Sequence, residues 1–201
     1  MSNNTGLCAK PQRRSIGARR NPATEAAILD AAAALVAEKG ARGLTMEAVA
    51  KRARAGKATL YKWWPNRGAL IVAVYERAKG GYVYEEGGSL IDTVAAFYRH
   101  LFSLWARPEG GLFALIIAEA QYDADVAEAL EGYRLERLAA TTAVIERARA
   151  RGELAPGVDS RRLAETVVAM AWMRLLTRRF DPAEADDLAH AVVGGWIAAP
   201  A

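Results

Sequence analysis

Apolar residues recur along this chain every three or four positions, and strand-like alternation is scarce. Ile28, Ala32, Leu35 and Val36 form the first such stripe. It predicts a helix from just after Asn21-Pro22 to Lys39, with Gly40 as its stop. A second helix begins at Thr45, a good N-cap residue, with Leu44 and Val49 at the two positions of a hydrophobic staple. Arg54-Ala55-Gly56 makes a tight turn, and a third helix covers Lys57 to about Trp63. Pro65 ends it, because proline cannot continue the hydrogen-bond ladder and restricts the residue before it. Asn66 caps a fourth helix that carries Leu70, Ile71, Val74 and Tyr75. The run K-G-G-Y-V-Y-E-E-G-G then breaks the period and predicts a loop.

Five further helices are expected beyond it. They run from Ser89 to Arg107-Pro108, over about 109–122, over about 125–151, from Asp159 to about Arg179, and from Asp181-Pro182 to near Ala198. The expected fold is all-α, with about nine helices: an N-terminal three-helix unit over 21–68 and a C-terminal helical bundle over 69–201. The boundary falls between residues 68 and 88, and no internal repeat is visible.

Thr45 to Trp63 is the segment with chemistry in it. Two short helices joined by a tight turn form the pattern of a helix-turn-helix, which places its second helix in the major groove of DNA. Ala48, Val49, Ala53 and Leu60 are small or apolar, as a helix crossing needs. Lys57, Thr59, Tyr61, Lys62 and Trp63 supply basic, hydroxyl and aromatic groups for phosphates and base edges. Ala58 has almost no side chain and permits close approach. The alternative for Tyr61 and Trp63 is packing inside the small domain, and for the two lysines a solvated face.

Charge supports a polyanion partner at one end. Residues 1–68 hold 13 Lys+Arg against 4 Asp+Glu, and residues 69–201 hold 14 against 19. Residues 1–20 include Lys10, Arg13, Arg14, Arg19 and Arg20 without periodicity. They predict a disordered basic arm that either reaches DNA or merely aids solubility. The single cysteine, Cys8, excludes a disulfide framework and suits a reducing cytoplasm. No apolar run is long enough to span a membrane, and the polar N-terminal segment does not predict a secretory signal.

The phrases L-T-M-E-A-V-A (44–50) and K-A-T-L-Y-K-W-W-P-N-R-G-A-L (57–70) resemble the TetR family of bacterial transcriptional regulators. A-L-I-I-A-E-A-Q (114–121) and R-A-R-A-R-G-E-L (147–154) are similar to one C-terminal subgroup of it. The resemblance implies a DNA-binding domain of three helices, a fourth helix as link, and a C-terminal domain that dimerises and binds a small ligand. It implies that Thr45 and Arg67 hold backbone phosphates, that Lys57, Thr59, Tyr61, Lys62 and Trp63 face the groove, and that Trp64 is core. Two positions depart from the pattern. Arg54 stands where the family usually has glycine, and Gly56 where it favours serine or threonine. Gly56 then caps the third helix without a side-chain oxygen, and Arg54 adds a charge beside the DNA backbone.

In the bundle, Phe97, Leu101, Trp105, Phe113, Ile117 and Trp172 are spaced for buried stripes, either ordinary core or the wall of a pocket. Glu119, Gln121, Tyr122 and Arg174 are the polar candidates to orient a ligand, since a buried polar group needs a partner. The last two helices carry Leu163, Val167, Met170, Ala171, Leu175, Leu188, Val192, Val193 and Trp196. The resemblance assigns them to a homodimer interface, and the alternative is the core of a monomer. Catalysis is not expected. The histidines are His100 and His190, a lone carboxylate-x-x-His at 187–190 falls short of a di-iron site, and no glycine-rich phosphate loop appears. No cofactor is expected. The expected partners are palindromic double-stranded DNA, a second copy of the chain, and a small-molecule effector. The chain is expected to act as a repressor, with a ligand-independent regulator or a helical-bundle carrier or enzyme as alternatives.

Overall fold

Side-chain caps set most of the helix starts in the computed structural model, which describes residues 21–40, 43–84 and 88–199. The arm expected at 1–20, with Cys8, lies outside these residues. Helix α1 (Pro22–Lys39) starts where Asn21 accepts from the Ala23 N–H at 3.0 Å and Pro22 fills the first turn. Thr45 accepts from the Ala48 N–H and opens α2 (Met46–Arg52), and α3 (Lys57–Trp63) follows the turn. Asn66 accepts from the Ala69 N–H at 2.8 Å and opens α4 (Arg67–Lys79). Ser89 and Asp92 form a reciprocal capping box at α5 (Leu90–Trp105). A 3-10 turn leads into α6 (Leu112–Glu119), Asp123 caps α7 (Ala124–Ala150), and Asp159 caps α8 (Ser160–Leu176). Helix α9 (Ala185–Val193) completes nine α-helices among the described residues.

The arrangement is all-α, as the periodicity predicted. Helix α1 packs on α2 and α4, and α2 packs on α3. Helix α4 then continues into the bundle, where it lies against α6 and α7, while α5 is covered by α8 and α9. Ile28, Leu44, Leu60, Leu70 and Ile71 are fully buried, and one contiguous apolar core runs from α1 through α4 into the bundle. Arg52 pairs with both carboxylate oxygens of Glu38 at 2.8 and 2.7 Å, fastening α2 to α1. Arg77 reaches Asp30 and the Ala26 carbonyl, fastening α4 to α1.

The C-terminal segment departs from the sequence expectation. Helix α8 stops at Leu176 rather than near Arg179, and Arg178 turns back with φ 56°. Residues 182–184 form a 3-10 turn instead of opening α9 directly, and the Glu184 side chain pairs with Arg174 at 2.5 Å. Helix α9 ends at Val193, and Gly194-Gly195-Trp196 tighten into another 3-10 turn. Ile197 then bridges antiparallel to Leu154. Leu163, Val167, Ala171, Leu175, Leu188, Val192 and Val193 are all buried within the one subunit. These seven residues are subunit core, α9 spending its apolar face on α5, whereas Met170 is half-buried and Trp196 is 49% exposed.

Gly68 lets the start of α4 touch the start of α7. A β-carbon there would lie 2.2 Å from the Asp125 carbonyl oxygen and 2.8 Å from the Val126 Cα, and both are backbone atoms. Gly68→Ala is expected to destabilise the protein by about 1–3 kcal/mol through overpacking. Thermal unfolding checks this; an unchanged midpoint would mean the two helices are not in such contact.

Candidate nucleic-acid interface and buried aromatic chamber

One face of α3 is open, and it is basic and aromatic. Lys57, Ala58, Tyr61 and Lys62 are exposed, at the spacing of a single helical face. Tyr61 is 44% exposed, which is high for a tyrosine with nothing polar to satisfy inside. Leu60 points the opposite way and is fully buried, while Thr59 and Trp63 are half-buried at the edges. Trp63 packs against the core and meets Trp64 edge-on at 5.9 Å; Trp64 is itself buried. Lys57 lies 3.3 Å from Glu47 of α2, and both side chains remain well exposed. A Glu47 backbone hydrogen bond, then Lys57, lower the carboxyl's pKa, so this neighbour stays ionised. A phosphate would compete with it for the lysine.

The turn adopts the strained geometry that the sequence made doubtful. Arg54 has φ 51°, in the left-handed region, although it carries a full side chain. Gly56 is the N-cap of α3 with φ −68° and makes no side-chain cap bond. The helix-turn-helix thus forms despite both departures. The Ala55 N–H bonds the Ala50 carbonyl at 3.0 Å and closes the turn from the backbone alone. Thr45, exposed, has its hydroxyl committed to the Ala48 N–H.

Arg67, which the resemblance assigns to a backbone phosphate, is engaged within the chain. Its guanidinium donates to Glu119 at 2.8 Å and to Asp123 at 2.7 Å, and it is largely screened from solvent. The hydrogen bond from Arg67 holds the Asp123 carboxyl below its usual range. This side chain therefore ties the first turn of α4 to the α6–α7 junction. Nothing local predicts the pairing, since its partners are 52 and 56 residues away.

The far end of α4 enters a closed aromatic chamber. Of the residues expected to line a pocket, Phe97, Leu101, Trp105, Phe113 and Trp172 do so. Tyr75 and Lys79 from α4, Tyr82 and Tyr84 from the loop after it, and Tyr133 and Arg137 from α7 complete the polar wall. The space left between them is about 30 Å³, roughly one water. Burial pushes the Tyr75 and Tyr84 phenols up to about 12 and raises Tyr133 further, so all three stay neutral hydroxyls. Tyr75 stacks on Phe113 at 4.4 Å, and the Tyr84 and Thr141 hydroxyls are 2.7 Å apart.

The remaining candidates lie elsewhere. Ile117 is half-buried against the core outside the chamber, and Glu119 is engaged by Arg67. Helix α6 ends at Glu119, which leaves Gln121 and Tyr122 in an exposed turn. The Gln121 amide donates to the Ile117 carbonyl, and Tyr122 is 83% exposed. Arg174 pairs with Glu184. Sequence spacing missed the tyrosines at 82 and 84 because they sit in a segment read as a linker. Their alternation with glycines and a valine was the signal available.

Comparison with known proteins agrees with this anatomy. Residues 28–74 match the model for bacterial regulatory proteins of the tetR family, and residues 84–192 match that for the tetracyclin repressor-like C-terminal domain. The chain is 29% identical over 163 residues to the uncharacterized HTH-type transcriptional regulator YdeS of Bacillus subtilis, covering 80% of this chain and 82% of that one. It is 27% identical over 160 residues to the DNA-binding transcriptional repressor TetR of Mycobacteroides abscessus, covering 78% and 84%. Among solved structures, Salmonella enterica GusR superposes with a TM-score of 0.66 at 25% identity, covering 85% of this chain and 94% of that one.

The left-handed Arg54 generates a stability prediction. Arg54→Gly relieves a strain of about 1 kcal/mol. It is expected to raise the thermal midpoint of the free protein by about 2–4 °C. A lowered midpoint would show that the arginine side chain returns the cost through contacts of its own.

Proposed function

This chain belongs to the TetR family of bacterial regulatory proteins, and from that premise we propose that it is a homodimeric, sequence-specific repressor released from its operator by a small molecule. The observation that carries the proposal is the course of α4. It packs on α1 of the helix-turn-helix unit as well as on α6 and α7 of the bundle, and its last turn supplies Lys79 to the chamber. An effector that alters the chamber acts on the same rigid element that sets the pose of α3.

The open face of α3 supports DNA contact by Lys57, Ala58, Tyr61 and Lys62, with Thr59 and Trp63 at its rim. Arg54, Gly56 and the exposed Thr45 lie at the adjoining turn and helix start, suited to the sugar–phosphate backbone. The divided chain, a DNA-binding unit over 21–68 and an effector and dimer domain over 69–201, fits a helix that belongs to both. For the dimer, Thr166, Ala169, Met173 and Leu176 form an exposed stripe along α8, and Trp196 is 49% exposed nearby in the chain's last turn. This outer face, rather than the buried one, is suited to a second copy. Two recognition helices then read half-sites about 34–36 Å apart or at a related spacing. A preference of about 1–3 kcal/mol for the non-binding arrangement suffices to loosen the operator five- to hundred-fold. The repressor named from Mycobacteroides abscessus supports repression as the sign of control.

Selection of genomic fragments by the purified protein tests the proposal, and a palindrome is the expected product. On that palindrome, Lys57→Ala is expected to weaken binding and to lower the salt dependence by about one phosphate contact, a slope change near 0.9. No enriched sequence at low or high salt would contradict the regulator, and an unchanged slope would remove Lys57 from the interface.

A further inference from the structure

The chamber holds two cations against one ring. Lys79 is only 8% exposed, and its Nζ donates to the Tyr133 hydroxyl at 3.3 Å while lying 5.0 Å from the centre of that ring. Arg137 stands one helical turn beyond Tyr133 on α7, its guanidinium carbon 5.7 Å from the same ring centre. The Arg137 Nε is buried without a hydrogen-bond partner. Among the described residues, neither cation makes an ion pair; Glu76 and Glu136 favour the lysine charge only from a distance. Arg67 is paired with Glu119 and Asp123, and Arg174, whose Nε also lacks a hydrogen-bond partner, is at least charge-paired with Glu184.

Like charges brought together in a poorly solvated place repel, and burial adds to the cost. Cation–π attraction by Tyr133 offsets only part of it. Burial, and then Arg137, pull the lysine down to about 8, which is the same conflict expressed as proton affinity. An anion between the two side chains removes it. The neighbouring surfaces are flat and aromatic, with Tyr75 and Phe113 stacked and Trp172 edge-on to Phe113 at 5.4 Å.

Access comes from the loop after α4. An outer groove of about 670 Å³ shares Lys79 and Tyr82 with the chamber. The Tyr82 ring stacks on His100 at 4.5 Å and so forms the partition between the two spaces. Gly80, with φ 67°, and Gly81 precede it and permit the loop to swing. A molecule larger than water therefore requires Tyr82 to move aside, so that the chamber and the groove become one space.

We propose that the effector is an aromatic carboxylate, its charge held between Lys79 and Arg137 and its ring among the aromatic walls. This rests on the effector reading above and names the chemical class for it. The test uses three probes of matched shape on the full chain: 2-naphthoate, 2-naphthamide and 2-naphthylmethylammonium. Calorimetry gives their affinities, and the selected palindrome gives operator affinity in parallel. The naphthoate is expected to bind at least about tenfold more tightly than the amide, with the ammonium weakest. Lys79→Met and, separately, Arg137→Met should each cost the naphthoate about tenfold and leave the amide within about twofold. The pair keeps the test valid if one variant fails to fold. Equal affinity for the three probes, no binding of the naphthoate, or indifference of the naphthoate to both variants would overturn the anion site. Naphthoate binding as expected with unchanged operator affinity would uphold the anion site and overturn the effector reading alone.

Discussion

Helix α4 cannot move without taking both halves of the molecule with it. Its backbone at Gly68 touches the backbone of Asp125, with no room for a β-carbon. One residue earlier, Arg67 grips Glu119 and Asp123 at the same junction. Leu70 and Ile71 are fully buried in the core that includes α1, and Arg77 reaches back to Asp30. Close-packed interiors shift between discrete arrangements rather than deforming smoothly. A helix so fixed at one end, with Lys79 in a chamber at the other, is suited to the proposed role of carrying a change in that chamber to the DNA-binding unit.

The helix-turn-helix itself is marginal in local terms. Helix α3 has seven residues, lacks a side-chain cap, and follows a left-handed arginine. Short helices of this kind owe their stability to tertiary contacts, here the buried Leu60 and Trp64. That dependence leaves the pose of α3 under the control of the elements beneath it. The exposed face is then free to hold residues chosen for recognition, since Lys57, Ala58, Tyr61 and Lys62 carry no packing duty.

Local signals made much of the fold legible. Asn21-Pro22, Thr45, Asn66, Ser89 with Asp92, and Asp159 each announced a helix start that the structure contains, because capping depends on residues two or three apart. The aromatic stripe of Phe97, Leu101 and Trp105 likewise pointed to the chamber. What depended on long-range pairing was not legible. The pairing of Arg67 with Glu119 and Asp123 had no local signal, because its partners are 52 and 56 residues away. Helix α8 carries apolar residues on more than one side, with Met173 and Leu176 exposed beside buried Val167 and Ala171, so periodicity could not say which side faces inward. Tyr82 and Tyr84 were hidden by flanking glycines that marked the segment as a mere connection.

The proposed linkage between chamber and operator is reciprocal by thermodynamic necessity, so it is measurable without any effector. Hydrogen exchange of the protein with and without its selected palindrome tests the central claim most directly. Slowed or altered exchange in peptides covering Lys79 to Tyr84 and Tyr133 to Arg137, lost in Arg67→Met, is the predicted result. Changes confined to residues 45–67 would contradict the account, because the chamber would then be deaf to the DNA.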